Sequence, residues 1–447
     1  MNEPIFIARQ DTLEQEILPA HWLSQYKLFG EESYTFQDKE IWKRLCMSRA
    51  AANDRDMHAE ALEEMLTTFS AEHTGKWMLT VYGMDAAVLE GLASMAAIAA
   101  NGTAMAAVAG NALLMHAITN SETAMQAISR SQTAMQRIAN STTAMDAISG
   151  SKIARGAVQA SPYYNSYIKE NDMAIAKLVV SFANLASAGY SGMAGVAADA
   201  TAMNAVAASS TAMNAVAASS TAMNAVAASS VARNAISASP YYDAKIKEND
   251  MAIAKLVVGF ANLESARYSG CAGMAADSTA MTAVAASSTA MTAVAASSTA
   301  MTAVAASGVA LKAIAQAYKK TANMLQFLKA VNASDTLVKR IYSTLTNATA
   351  LFGAAQLGSQ DSVENANSWA TTSAAPNAFL ACACGYYGSS SDSVSVTYNG
   401  TVIAQKKTGT KQPGSVASTN VNAITMAPST FTENGDGYLA VQKFTAK

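Results

Sequence analysis

The stretch Thr201-Ala-Met-Asn-Ala-Val-Ala-Ala-Ser-Ser210 is a ten-residue unit that is repeated without change over residues 211–220 and 221–230. Looser copies form two further blocks. In all three blocks Met recurs every ten residues, and Ile or Val follows each Met by three. Residues three apart lie on one face of a helix, so each unit predicts a short helix with Met and Ile or Val facing a core. The methionines are Met95, Met105, Met115, Met125, Met135, Met145, Met203, Met213, Met223, Met281, Met291 and Met301.

A continuous helix through several units is disfavoured by the period of ten. An α-helix turns about 100° per residue, so the apolar stripe would drift by about 80° per unit, against about 20° per heptad in a coiled coil. Ser is a favoured N-cap, and each Ser-Ser or Asn-Ser pair therefore predicts a break. We expect a mainly α, elongated protein whose short helices form a decapeptide-repeat solenoid or shaft.

A larger duplication is superimposed on the decapeptides. Ser161-Pro-Tyr-Tyr164 returns at 239–242, and the twelve residues 169–180 return unchanged at 247–258. The sequence thus predicts a Tyr-bearing helical module that occurs twice between repeat blocks. The expected segments are repeat block 1 at 81–160, the module at 161–200, block 2 at 201–238, the duplicated module at 239–278 and block 3 at 279–310.

The two ends differ from the repeats. Residues 1–75 carry 14 acidic and seven basic side chains, and residues 1–80 are predicted to form a helical docking or anchor domain. Residues 311–357 keep an apolar spacing of three to four, which predicts a helical stalk. The candidate docking residues are the N-terminal aromatics Trp22, Tyr26, Phe29 and Trp42.

Residues 358–447 predict a small antiparallel β-sandwich. The run from Ala378 to Cys384 is typical of a buried strand, and Asn399-Gly400 between two alternating segments predicts a hairpin with a type I′ turn. Tyr386 and Tyr387 follow the buried run at a Gly-bounded turn. Exposed loop aromatics often bind partners, so these two tyrosines are the candidate recognition residues.

Composition disfavours several classes of function. Only 14% of residues are charged, against about 25% in typical domains, and the net charge of −2 does not favour a nucleic-acid binder. Long uncharged gaps are rich in Ala, Ser and Thr rather than Leu, so we expect no membrane span. No basic-then-apolar secretory signal opens the sequence. No nucleotide-binding or hydrolase motif occurs, and Cys382 and Cys384 are expected to be buried thiols. The sequence therefore predicts a protein that is not an enzyme and has no cofactor or metal.

The layout of head, repetitive shaft and terminal β domain resembles fibre-type virion proteins of tailed bacteriophages, namely tail fibres, collar whiskers and related appendages. The pattern Ser-x-Thr-Ala-Met-x-Ala-Val-Ala, as at 219–227, is similar to repeats in phage fibre and tail proteins. The resemblance covers about residues 92–315 by repeat and the rest by layout. Typical fibre shafts are β-structured or heptad-coiled, and this one differs from both.

The resemblance implies a structural virion appendage, made in the host cytoplasm and placed in the tail, collar or baseplate. Its N-terminal region would anchor to other virion structural proteins. Its β domain would bind a host cell-surface glycan or protein, or a neighbouring virion protein, and a homotrimer is favoured. Alternatives are a collar whisker or a capsid or baseplate protein without a receptor role. A bacterial or tailocin-like adhesin is a further alternative.

Overall fold

The computed structural model describes residues 84, 88, 92, 94–360, 368–370, 377–386, 393–406, 415–427, 429–434 and 437–447. The chain divides into two compact units, Met1–Val196 and Ala197–Lys447, and each is described by itself. The protein is mainly helical and has a small antiparallel sheet region at its C-terminal end, as the sequence predicts. The predicted docking domain at 1–80 lies outside the described residues.

Each decapeptide of the first block forms a separate short helix, so the predicted breaks are confirmed. The helices of the first unit are α1 Met95–Ala100, α2 Gly102–Gly110, α3 Ala112–Thr119, α4 Glu122–Ser129, α5 Gln132–Ala139, α6 Thr142–Gly150, α7 Lys152–Ala160, α8 Tyr164–Tyr167 and α9 Asp172–Phe182. Helix α10, Met193–Ala198, continues into the second unit.

The residue just before each decapeptide helix has extended backbone. Ser141 has φ −109° and ψ 115°, and its Oγ accepts a hydrogen bond from Ala144 N at 3.1 Å. Its own N–H donates to Ile138 O at 3.1 Å, which closes the preceding helix. Because the extended residue redirects the chain, α2 and α3 are bent by 99°.

The decapeptide helices of the first block pack on the helix three places further along the chain. In the first unit α1 contacts α4, α2 contacts α5, α3 contacts α6, α4 contacts α7 and α6 contacts α9. The repeat Met and the branched residue three positions after it are buried in these helices, and Met105, Val108, Met135 and Ile138 are 0% exposed. Because consecutive helices are bent by about 100°, three helices complete one turn, and the fourth helix stacks on the first.

The second unit repeats this packing. Its helices are α11 Ala200–Ala207, α12 Ser210–Ala218, α13 Ser220–Ala228, α14 Ser230–Ser237, α15 Asp250–Phe260, α16 Cys271–Ala276, α17 Ser278–Ala286, α18 Ser288–Ala296, α19 Ser298–Ala305, α20 Gly308–Gln316, α21 Thr321–Asn332 and α22 Asp335–Asn347. A π-helical turn, Asp243–Lys247, precedes α15. Helix α11 contacts α14, and α16 to α19 contact α19 to α22 in turn. Helix α13 contacts α15, and here α14 and the π-helical turn are the two elements between them.

The long helix of each module copy ends in the same way. Asn184 after α9 and Asn262 after α15 have left-handed backbone, with φ of 58° and 56°. Leu185 N donates to Val180 O at 3.2 Å, across five residues. This is a Schellman motif, which satisfies backbone carbonyls that have no partner within the helix. Its left-handed position is most often Gly, and Asn is the next choice.

Two four-stranded antiparallel sheets form the C-terminal region, with orders β1-β8-β3-β6 and β2-β7-β4-β5. The predicted hairpin is confirmed, because β4 pairs with β5 across Asn399 and Gly400, whose φ values are 44° and 75°. Residues of both sheets share one hydrophobic core. The strands are β1 Phe352–Gln360, β2 Ser368–Ala370, β3 Ala378–Tyr386, β4 Ser393–Tyr398, β5 Thr401–Lys406, β6 Ala423–Met426, β7 Ser429–Asn434 and β8 Gly437–Ala446.

The predicted helical stalk at 311–357 is wrong in two respects. The last helix ends at Asn347, and residues from Phe352 belong to β1. Helices α21 and α22 also contact the sheets instead of forming a stalk. Asn332 shows why, because its buried side chain donates to Ile424 O at 2.7 Å and accepts from Ile424 N at 2.9 Å. The apolar stripe of these helices is therefore covered by the sheet region.

No single described helix is long and apolar enough to cross a membrane. Three pairs of consecutive helices reach the length and apolar composition of a membrane span only when the two helices are counted together. The two helices of each pair are bent by 94° to 102° relative to one another.

Candidate functional site

The capping serines link stacked helices to one another. Besides capping α6, Ser141 Oγ donates to Ala109 O of α2 at 2.6 Å, 32 residues earlier. The acceptor is at a helix C-terminus, where carbonyls lack intrahelical partners. The same bond, over 32 residues and at 2.5 to 2.6 Å, is made by Ser131, Ser151, Ser161, Ser229, Ser239 and Ser307. We call this set the serine ladder.

The ladder requires a side chain that accepts and donates at once, which a hydroxyl does. Asp199 and Asp277 also cap helices, but each carboxylate accepts two backbone N–H groups and has no proton to donate. N-capping by Ser is predicted from the sequence and is confirmed. The bond from each Ser to a carbonyl 32 residues earlier is not predicted from the sequence. The features that could have indicated it are the constant Ser at the cap and the return of the chain every three units.

A lysine is fully buried in the first module copy. Lys177 of α9 is 0% exposed, and its Nζ donates to Asp146 Oδ1 at 2.5 Å and to Ser187 O at 3.3 Å. Ser187 Oγ donates to the same Asp146 oxygen at 3.4 Å. A buried ammonium is tolerated when it is paired and hydrogen-bonded. Lys177 therefore joins repeat block 1, its own helix and the loop after that helix.

The second copy has the same arrangement with an amide in place of the carboxylate. Lys255 of α15 is also 0% exposed, and its Nζ donates to Asn224 Oδ1 at 2.7 Å and to Ser265 O at 3.1 Å. Ser265 Oγ donates to Asn224 Oδ1 at 3.1 Å. Sequence reasoning missed both lysines. The available signal was a single Lys inside the apolar run Met-Ala-Ile-Ala-Lys-Leu-Val-Val of both copies.

A carboxylate at the start of each long helix holds the returning loop. Asp172 Oδ1 accepts from Met193 N, and Asp250 Oδ1 accepts from Cys271 N, both at 2.9 Å. A Cβ on Gly270 would lie 2.1 Å from Asp250 Oδ2, and a Cβ on Gly192 would lie equally close to Asp172 Oδ2. A larger residue at either glycine would therefore displace the carboxylate from its present position.

Glu248 holds the N-terminus of α19 in the second unit. Its carboxylate accepts from Ser298 N at 3.0 Å and Oγ at 2.7 Å, and from Thr299 N at 3.0 Å and Oγ1 at 2.8 Å. Burial raises the pKa of Glu248, but these hydrogen bonds outweigh it and the pKa lies below its ordinary value. The bonds favour the charged carboxylate, which also complements the positive end of the helix dipole.

The predicted recognition and docking residues stay predictions. Tyr386 ends strand β3, paired with Gly437; Tyr387 lies outside the described residues. The four candidate docking aromatics lie there too: Trp22, Tyr26, Phe29 and Trp42.

The cysteines of β3 are buried, as predicted. Cys382 is 0% exposed and Cys384 is 2% exposed. Burial raises the pKa of both thiols, that of Cys384 to about 12, so both are protonated and weakly nucleophilic near neutral pH. Among the described residues, no group of three or more His, Cys, Asp and Glu side chains is placed to hold a metal ion.

No known protein-family model matches the chain. A comparison with curated proteins also gives no match. The function therefore has to be inferred from the residues and contacts of this chain.

Proposed function

We propose that this protein is a structural component without enzymatic activity, and that its repeats form the shaft of a virion appendage of a tailed bacteriophage, a tail fibre or a related fibre. The observation that carries the structural role is the serine ladder, in which each cap bonds to a helix 32 residues earlier. Each turn of helices bonds only to the turn before it, so further turns can be added without changing the existing contacts. Such repeats gain length by adding units.

The stacking supports an elongated solenoid with three short helices per turn. Helix contacts of the type α2 with α5 and α17 with α20 occur in both units, and the Met and Val side chains between stacked helices are fully buried. In a solenoid of this kind stability comes from each unit and its nearest neighbours. The large Ala content then reflects a thin repetitive shaft, because Ala allows stacked helices to approach closely.

The surface of the later blocks supports assembly of several copies. The residue after the repeat Met is exposed Asn at 204 and 214 and exposed Thr at 282, 292 and 302, whereas Asn224 is half-buried. Small uncharged side chains of this kind allow two chains to approach without burying charge. The resemblance to phage fibres favours a homotrimer.

The two ends receive their roles from the resemblance and the layout. Residues 1–80 would anchor the shaft to other virion structural proteins. The C-terminal sheet region would lie at the distal end and contact a host cell-surface glycan or protein, or a neighbouring virion protein. The β3–β4 connection, with Tyr386 and Tyr387, is the first region to test for recognition.

Sedimentation of the full chain, combined with negative-stain images, tests this proposal. We expect an elongated particle with a mass of three times 46.2 kDa. A compact monomer of 46.2 kDa would overturn the fibre proposal, because a shaft that neither extends nor assembles provides no reach.

A further inference from the structure

A groove of about 750 Å³ lies along the outer faces of the stacked helices α3 and α6. Its size is within the range of about 300–1,000 Å³ that is usual for small-molecule sites. The groove has polar and apolar walls. It is lined by Ala112, Leu113, His116, Asn120, Thr143, Asp146, Ala147, Gly150 and Ser151.

Two lining residues depart from the repeat at the same position. The residue that follows the repeat Met is His116 in α3 and Asp146 in α6. The 30 residues between them are three repeats, so the stacking places both on one groove. Elsewhere this position carries small or uncharged side chains: Ala106, Gln126, Gln136, Asn204, Asn214, Asn224, Thr282, Thr292 and Thr302.

The Asp146 carboxylate is fixed on one side and available on the other. Its Oδ1 accepts from Lys177 Nζ at 2.5 Å and from Ser187 Oγ at 3.4 Å. Its Oδ2 has no hydrogen-bond partner among the described residues, and the side chain is 32% exposed. A carboxylate that is held by a buried ammonium keeps its position, which prepares the second oxygen for a ligand.

The opposite wall presents nitrogen groups. Asn120 Nδ2 donates to His116 O at 3.0 Å and lies 3.4 Å from His116 Nε2, so amide and imidazole are held side by side. Leu113 and Ala147 are half-buried and supply apolar surface between the two walls.

The charge balance selects the class of ligand. Lys177 already neutralises Asp146, so a cation would gain little Coulomb energy here. A neutral ligand whose groups both donate and accept hydrogen bonds suits the two walls, and a hydroxyl does both. We propose that this groove binds a neutral sugar, with one hydroxyl donating to Asp146 Oδ2 and others bonded to the His116 and Asn120 side chains. The C–H face of the sugar would lie against Leu113 and Ala147.

This site goes beyond the proposed function, because it lies in the first repeat block and not in the C-terminal sheet region. It also does not depend on the number of chains in the assembly.

The second module copy supplies a matched design for the test. Asn224 stands where the first copy has Asp146, and its Oδ1 accepts from Lys255 and Ser265. In Asp146→Asn the amide oxygen is therefore expected to keep Lys177 and to turn its NH₂ group toward the groove. The variant should fold, but a sugar hydroxyl would then have to accept from a neutral NH₂ group instead of donating to a carboxylate, and the charge-assisted hydrogen bond is lost. His116→Ala should also fold, since Ala106 occupies this position one unit earlier.

Binding is measured on the full chain by saturation-transfer NMR titrations with three probes: methyl α-D-glucopyranoside, methyl β-D-galactopyranoside and methyl α-D-mannopyranoside. We expect saturable binding of at least one probe. Asp146→Asn and His116→Ala should each weaken it at least tenfold, since hydrogen bonds to charged or well-placed groups carry such effects. Gln136→Ala, at the same repeat position but outside the groove, should stay within twofold of the wild type.

Two results would overturn the proposal. One is that none of the three glycosides binds saturably to the wild-type chain. The other is that either groove variant, folded by circular dichroism, retains wild-type affinity.

Discussion

The two copies of the duplicated module bury the same lysine against different partners. Residues 169–180 and 247–258 are identical, and Lys177 and Lys255 are both 0% exposed. The partner is a carboxylate at Asp146 and an amide at Asn224. The difference teaches that the fold needs a hydrogen-bond acceptor at this position, whereas a carboxylate there is optional.

The copies also differ in how closely the long helix approaches its neighbour. In the second copy a Cβ on Gly259 would lie 2.5 Å from Ala227 O, a backbone atom that cannot move away cheaply. The first copy has Ser181 at this position, and its Oγ donates to Leu178 O of the same helix at 2.9 Å. The close packing of the second copy therefore requires a residue without a side chain at position 259, whereas the first copy accommodates Ser181 at the equivalent position.

The largest expected effect is a difference in stability between variants of the two buried lysines. Lys177→Met leaves the Asp146 carboxylate beside an apolar side chain, and we expect a loss of about 3 kcal/mol in the free energy of unfolding, near the lower end for breaking a buried ion pair. The lower end applies because Asp146 is 32% exposed. Lys255→Met leaves a neutral amide and should lose about 1–2 kcal/mol. Urea unfolding followed by circular dichroism measures both.

A double variant provides the control for this comparison. Adding Asp146→Asn to Lys177→Met removes the stranded charge and should recover part of the loss. Equal losses for Lys177→Met and Lys255→Met, with no recovery in the double variant, would show that the partner's charge has no influence.

The next largest effect concerns the close approach in the second copy. Gly259→Ala should lose about 2 kcal/mol through overpacking, even though Ala favours a helix by about 1 kcal/mol over Gly. Ser181→Ala should lose less than about 1 kcal/mol, since it removes one local hydrogen bond. Thermal unfolding of the two variants checks the difference, and a Gly259→Ala chain as stable as the wild type would contradict the close approach.

The smallest effect is a dependence on acid in the second copy. The pKa of Glu248 is lowered in the folded chain from its ordinary value of 4.5, so the stabilisation is fully present above pH 4.5 and is lost as the pH falls through the folded-state pKa. Glu248→Gln should therefore be less stable than the wild type near pH 7, and the gap should narrow toward pH 3. Melting temperatures across this range measure it.

Glu264→Gln is the control for the acid dependence, because Glu264 is an exposed carboxylate of the same module copy. This variant removes one negative charge but none of the hydrogen bonds to Ser298 and Thr299, so it isolates the effect of those bonds. A gap for Glu248→Gln that stays constant from pH 7 to pH 3 would contradict the role given to the hydrogen bonds from Ser298 and Thr299.

The sequence predicts local structure well where one residue type determines it. The period of ten conflicts with the helical period, and Ser or Asn at each cap predicts the breaks. Asn399-Gly400 predicts the hairpin because both residues tolerate positive φ. The bond from Ser141 to Ala109 is less accessible, since it depends on the bend between helices, and that bend comes from the backbone angles of single capping residues.

Other features were missed because a sequence pattern shows that a face is buried but does not identify what covers it. The apolar stripe after residue 311 is real, yet it packs on the sheet region through contacts such as Asn332 to Ile424. Lys177 is similar, because its acceptors are 31 residues earlier and ten residues later. A charged residue in an apolar run gives no sign of which distant group pairs with it.

Insertion of further copies of residues 201–230 tests the stacking of three units per turn most directly. Each copy adds three decapeptides, which is one turn of the stack. The serines of the ladder would therefore meet the same type of acceptor 32 residues earlier, and Lys255 would still meet Asn224. Small-angle X-ray scattering should show the maximum dimension rising by about 10 Å per copy, the usual distance between packed helix axes, with helicity per residue and melting temperature nearly unchanged. A maximum dimension that does not grow, or a cooperative loss of helicity in the inserted chains, would contradict the stacked shaft.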